Sequence, residues 1–442
     1  MTRRFAPVIA AALALAWAAA AASPSYVIRG AKIHTLAGGP IEKGVVVIRD
    51  GRIAAVGQNV PVPSGLQVID GRGLEVYPGL IDSFTSLGLT EITSIAATVD
   101  ITEPGEFNPQ LMAATAIHPA SEHIPVTRAN GITHALAAPG GGGGGGGGRF
   151  GGGGGGPIVS GQAALIHLAG WTIEEMAIEP SVAMMLHWPS IQSRTFDLQT
   201  FSIGARSFTD AKREYDERIG RLEDWMEAAR HYAQAADKGS RTKFDRDLKM
   251  EALARMVTGR LQVIVIANSA RDIKSAVEFG ERHKLKIILA GGAEAWKVKD
   301  LLKQKQIPVI LGPTQTLPRE EDHPYDRPFA TPGELHGAGV KIAFATFDSA
   351  YSRTLPYEAA NAVPYGLPWE EALKAVTLYP AQILGVADRL GSIEPGKIAN
   401  LIVTDGDPLR IQTQIRHLFI KGELTSTDNK HKQLYEKYRA RP

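Results

Sequence analysis

The chain has 442 residues, with 48 Lys and Arg against 46 Asp and Glu, and no cysteine. Without cysteine there is no disulfide, no thiol for a lipid anchor and no thiolate metal ligand. Arg3 and Arg4 account for the whole positive excess, and the balanced remainder carries no electrostatic footprint for nucleic acid or an anionic membrane surface.

Residues 1–22 read as a secretory signal peptide. Arg3 and Arg4 precede an Ala-rich apolar run from Val8 to Ala22, which ends in small residues before Ser23. The run is shorter than the roughly 20 apolar residues that a membrane span needs. The expectation is a periplasmic or secreted protein, without membrane association once the signal is removed. The mature chain from Ser23 onward is long enough for one large domain and a smaller one.

Residues 23–76 are rich in β-formers and turns, as in "SYVIRGAKIHTL" and "GVVVIRDGRIAAVG". Asp50-Gly51 and Asp70-Gly71 mark hairpin or turn positions. The same texture returns over 388–425, in "GSIEPGKIANLIVTDGDPL" and "IRHLFIKGEL". Both ends together are expected to build one small composite β-sandwich, with 426–442 as a C-terminal tail.

The stretch 77–387 alternates strands and helices. Apolar runs at 76–81, 132–138, 182–187, 261–267, 286–289, 308–311 and 341–346 suit parallel strands buried on both faces. "AALIHLAG" (163–170) is the candidate for an eighth strand. Ser269 and Asp272 offer a capping-box variant for a helix over Ala270–His283, and 210–236 reads as a long, charged surface helix. The fold class expected is α/β, a (β/α)8 TIM-type barrel. Residues 139–157 hold fifteen glycines around Arg149 and Phe150. No Gly-Lys-Ser/Thr and no immediate helix accompany them, so a flexible insertion in a barrel loop is expected rather than a phosphate loop.

Three phrases carry a family resemblance: "YPGLIDS" after the N-terminal β-region, "LKIILAGGAEAWKV", and "GLPWEEALKAVTLYPAQILGVADRLGSIEPGKIANLIVTDGDP". In these the chain resembles the amidohydrolase superfamily, in its exported imidazolonepropionase-like and prolidase-like branch, over nearly all of the mature length. The resemblance implies a metal-dependent barrel that hydrolyses C–N bonds in cyclic amides, dipeptides or related compounds. One or two divalent metals would activate a bound water and polarise the scissile carbonyl. Their usual ligands are His-x-His after the first strand, one His each after the fifth and sixth, and an Asp after the eighth. Many members add a bridging carboxylated Lys after the fourth.

Carried over residue by residue, the ligand set is nearly empty. The first-strand pair falls on Phe84 and Ser86. The fifth-strand His falls on Ile266, with Asn268 two residues on, and the sixth-strand His on Gly291. Only Asp348, in "FATFDSAY", matches, and no bridging Lys is identified. The resemblance thus implies a whole barrel with a degraded metal site. Phe84, Ser86, Ile266, Asn268 and Gly291 would line the remaining pocket, with the Phe84 ring in the volume of a metal.

No two of the twelve histidines are spaced by one residue. His118 and His123, with Glu122, offer a non-standard site for a single divalent metal such as Zn, although loop histidines are more often solvated. His167 and His187 end apolar runs and face either the mouth or the core. His336 suits a helix, and His323 stays open. Metal-free catalysis would use Asp348 as base with Tyr351, Arg353 or His323 as acid or electrophile. The plainer role for Asp348 is a helix cap or an ion pair with Arg353.

Three functions are compatible with these residues. One is a binding or partner protein without a cofactor, taking a small-molecule or peptide ligand, an intact amidohydrolase relative or a second copy of itself. Another is a working C–N hydrolase with a displaced or reduced site built on Asp348. A sugar- or peptide-binding module is a third.

Overall fold

A computed structural model describes residues 24–140, 156–191, 194–197, 202–237 and 246–441. The signal-peptide assignment and the centre of the glycine tract lie outside the described residues.

The N-terminal segment forms strands β1 (Tyr26–Ile33), β2 (Ile41–Arg49), β3 (Arg52–Gly57), β4 (Gln67–Asp70) and β5 (Glu75–Pro78). The middle supplies β6 (Leu80–Thr85), β7 (Ile132–Ala137), β8 (Val159–His167) and β9 (Ala177–His187). A separate hairpin, β10 (Arg194–Asp197) and β11 (Ser202–Ala205), precedes β12 (Gln262–Ala267), β13 (Ile287–Gly291), β14 (Val309–Leu311) and β15 (Ile342–Phe344). β16 (Leu401–Thr404), β17 (Ile415–Ile420) and β18 (Glu423–Thr425) close the chain's β-content.

The two ends do build one unit, in the order β18-β17-β16-β5-β1-β2-β3 with β4 also on β1. Asp50 and Gly51 both adopt positive φ, as a two-residue hairpin between β2 and β3 requires. The expected sandwich is a single forked sheet. The first half of β1 pairs with β4, its last two residues pair with β5, and β5 pairs with the returning β16.

The second eight-stranded sheet is the barrel, in the order β6-β7-β8-β9-β12-β13-β14-β15. Seven strands follow the parallel pattern. β8, the expected eighth strand, is antiparallel to both β7 and β9. A parallel return would need a crossover, usually helical, between β7 and β8. The sequence between the two strands is mostly glycine, the poorest helix former after proline.

The single strand expected over 76–81 is divided between the two units. β5 belongs to the forked sheet and β6 opens the barrel, with Gly79 between them. A Cβ on Gly79 would lie 2.1 Å from Thr133 Oγ1, so the crossing tolerates no side chain.

No ladder joins β15 back to β6; side chains and loop backbone close that seam. Phe347 N–H donates to Phe84 O at 2.9 Å, and Thr85 Oγ1 donates to Asp348 O at 2.6 Å. The Asp82 carboxylate accepts the Thr346 N–H at 3.1 Å and the Thr346 hydroxyl at 2.5 Å. Ile81, Leu136, Leu165, Met185, Ile264, Ile288 and Ile310 fill the interior, a packed core rather than a pore. Outside, the helix Ala270–His283 starts as expected, with Ser269 Oγ accepting the Asp272 N–H. The charged helix expected over 210–236 spans Phe208–Asp237 and buries Leu222, Met226 and Ala229. No helix among the described residues is long and apolar enough to cross a membrane.

Candidate functional site

The C-terminal ends of the parallel strands define the barrel mouth, where catalytic groups sit in this architecture. Phe84, near the end of β6, is fully buried and stacks on Phe347 with ring centroids 4.2 Å apart and planes 18° from parallel. Phe347 holds φ +54, a conformation uncommon for a bulky residue, which the seam bond to Phe84 O accompanies. Ile266, at the end of β12, packs on the same cluster. An aromatic pair therefore sits at the mouth end of the β6–β15 seam, and Ile266 packs on the same interior cluster.

Asp348 comes directly after Phe347, and its carboxylate accepts the Tyr351 N–H at 3.0 Å, where the chain enters the short helical turn Ser352–Thr354. Its backbone carbonyl collects the hydroxyls of Thr85 and Ser352, each at 2.6 Å. Of the two plain roles considered for Asp348, the turn cap is present; among the described residues the carboxylate makes no ion pair with Arg353. That guanidinium donates to Ala350 O and lies 5.5 Å from the centre of the exposed Tyr351 ring. Ser86 is buried beside this layer, and its carbonyl accepts the Leu89 N–H.

Gly291 and Asn268 form a second group. Gly291 has φ +88, and a Cβ there would sit 2.5 Å from Asn268 Oδ1. Any side chain at position 291 thus conflicts with the present position of Asn268. Asn268 itself accepts the Ala293 N–H on Oδ1 and the Glu294 N–H on its carbonyl, tying the turn after β13 to the end of β12.

His323 joins this group through Glu294. His323 Nε2 lies 3.2 Å from Glu294 Oε1 and 2.8 Å from Lys297 Nζ, which is itself 2.8 Å from Glu294 Oε1. Glu294 Oε2 accepts the Ala270 N–H at 2.7 Å. Burial alone would raise the Glu294 carboxyl, but the Lys297 ammonium and the Ala270 N–H hold it below its ordinary range. This mixed-charge cluster lies on the mouth side of the barrel, and no contact links it to Asp348 among the described residues.

The remaining histidines fall into structural places. His123 Nε2 bonds Glu91 O, and His336 lies on the helix Arg327–Gly337. His134 and His167 face each other across β7 and β8 beneath the forked sheet, and both contact the Asn400 amide. Burial holds both neutral, pushing His134 down to about 3 and His167 well below its ordinary value. His187, at the mouth end of β9, lies 3.0 Å from Ser160 Oγ, whose hydroxyl donates to Pro139 O. Burial, then the Arg218 charge, pushes His187 down to about 4. Nothing in the sequence marks Ser160, which meets His187 only because β8 runs antiparallel.

Phenyl, hydroxymethyl and sec-butyl groups and a bare α-carbon do not fit a divalent cation, which needs imidazole or carboxylate donors. Among the described residues no group of three or more His, Asp or Glu side chains is placed to hold a metal ion.

The Amidohydrolase family profile matches residues 299–428. An imidazolonepropionase from Phocaeicola vulgatus is 25% identical over 391 residues, covering 82% of this chain and 85% of that protein. Residues 299–428 thus carry the amidohydrolase-family pattern, and the near-full-length likeness to the imidazolonepropionase supports the amidohydrolase superfamily. Amidohydrolase tasK of Hapsidospora irregularis is 25% identical over 413 residues, and the match spans 86% of this chain but 39% of that much longer protein. Among solved structures, an amidohydrolase from Thermotoga maritima superposes with a TM-score of 0.75 at 24% identity, covering 91% of this chain and 99% of the other. A Xaa-Pro dipeptidase with bound methionine reaches 0.52 at 17% identity, with 91% and 100% covered. Both likenesses are to the amidohydrolase fold.

Proposed function

We propose that this protein is a non-hydrolysing binding or partner protein on the amidohydrolase scaffold, exported and free of a metal cofactor. The observation that carries the reading is the Phe84–Phe347 stack, at 4.2 Å, at the mouth end of the β6–β15 seam. Asp348, the one retained ligand position, spends its carboxylate on the Tyr351 N–H. Loops on the mouth side carry exposed apolar side chains, Ile92 and Ile95 after β6, Leu317 and Tyr325 after β14, and Tyr351 after β15. They support a peptide or small-molecule ligand, an intact amidohydrolase relative or a second copy as the occupant.

The test is elemental analysis of the purified protein, together with its oligomeric mass and turnover of cyclic amides, hydantoin-like compounds and dipeptides. Substoichiometric metal and no turnover are expected. Stoichiometric Zn, Mn or Fe would overturn the reading.

A second reading, a C–N hydrolase with a displaced site, is favoured by the names of the relatives and by the Ser160–His187 contact of 3.0 Å at the mouth. It requires wild-type turnover that Asp348→Ala or Ser160→Ala removes, and it loses its support if the wild type turns over nothing in the panel.

A further inference from the structure

We propose a second binding site on the face of the barrel opposite the mouth, for a small polyanion bearing phosphate or carboxylate groups. A cavity of about 450 Å³ lies across the entries of β12 to β15. That volume suits a small ligand, since such sites span roughly 300–1,000 Å³. Three lysines, Lys286, Lys303 and Lys341, and three glutamines, Gln262, Gln306 and Gln382, supply its polar wall, and no Asp or Glu lines it.

The lysines are what make the wall unusual. The chain's charges balance overall, and lysines close by in sequence pair with acids: Lys299 with Glu334, Lys305 with Glu281, and Lys374 with Glu370 and Glu371. The cavity lysines use neutral acceptors or none. Lys303 donates to Gly339 O at 3.1 Å and Lys341 to Gln382 Oε1 at 2.7 Å. The side chains of Lys286, Gln262 and Gln306 make no hydrogen bond or ion pair among the described residues.

A plain structural role covers only one of the three. Lys303 sits in the last turn of the helix Lys299–Gln304, where a cation complements the helix dipole. Lys286 and Lys341 stand instead immediately before β13 and β15, past the helix C-caps at Lys284 and Ala338 and outside the last turn where that effect acts. Both residues line the same cavity, whose wall is backed by the buried Ile288, Leu302 and Val340. A low-dielectric wall focuses the positive field and lets each cation act on an anion more strongly than on open surface. The unpartnered glutamine amides add neutral donors that suit phosphate or carboxylate oxygens.

The test is isothermal titration calorimetry of the purified chain with sodium pyrophosphate and, separately, sodium citrate, against sodium chloride at matched ionic strength. Saturable binding of pyrophosphate, citrate or both is expected, and the stronger binder identifies the headgroup chemistry. Lys286→Gln breaks no side-chain hydrogen bond or ion pair among the described residues and should keep the wild-type melting temperature. With Lys341→Gln added, binding should weaken about tenfold or more, the scale of losing charge-assisted hydrogen bonds. Absence of saturable binding above the chloride control overturns the site. So does a dissociation constant for the folded double variant within about twofold of wild type, well short of that loss.

Discussion

Asp82→Asn isolates the electrostatics of the barrel seam. The Asp82 side chain is fully buried and accepts hydrogen bonds from the Thr346 N–H, the Thr346 hydroxyl and the Phe84 N–H, with no cation beside it. Burial pushes its carboxyl up to about 7 from an ordinary 3.8, and the three hydrogen bonds offset only part of that. Between those two values the folded protein keeps a proton that the unfolded chain has lost. Stability contributed by Asp82 is therefore present at low pH and declines as pH rises towards 7. The decline is about 1.4 kcal/mol per pH unit, or about 3 kcal/mol from pH 5 to pH 8 as an upper value.

Asparagine keeps the volume and one acceptor oxygen but cannot ionise. Urea unfolding followed by tryptophan fluorescence at pH 5, 6, 7 and 8 should show the D82N-minus-wild-type difference moving in favour of the variant by about that amount. Contributions of titrating groups not coupled to Asp82 cancel in the difference. Asp82→Ala separates charge from hydrogen bonding, because it leaves two buried N–H groups without an acceptor, at about 1–3 kcal/mol each and at every pH. A D82N difference that stays flat with pH would refute a buried, proton-retaining carboxylate at the seam.

Phe84→Ala should destabilise by about 3–5 kcal/mol, since the ring is wholly buried and stacked on Phe347. A shift in the urea midpoint equivalent to less than about 1 kcal/mol would mean that the stack does not pack the mouth. Gly291→Ala should cost about 1–3 kcal/mol through its positive φ and its clash with Asn268 Oδ1. Adding Asn268→Ala should recover part of that cost, and a double-mutant cycle with no coupling would refute the clash.

Much of the architecture is legible in short stretches. Apolar runs, the Ser269 cap and the Asp50-Gly51 turn report on a few consecutive residues, and local periodicity and turn chemistry determine those. The replacement of imidazoles by Phe84, Ser86, Ile266 and Gly291 is also readable, because it depends on residue type at motif positions. Partnership across the chain is different. Asp82 and Thr346 meet 264 residues apart, and β6 must lie beside β15 before Phe84 can stack on Phe347. The antiparallel course of β8, which pairs His134 with His167 and brings Ser160 to His187, is likewise a matter of which distant strands lie side by side. Strand direction and barrel closure are set by long-range packing, and no period in the sequence records them. By itself the sequence determined which residues are strands, helices and turns, and which donors the mouth lacks. Only the tertiary structure decided that two rings stack at that mouth, that Asp348 serves a backbone turn, and that three lysines without acids share a cavity on the opposite face.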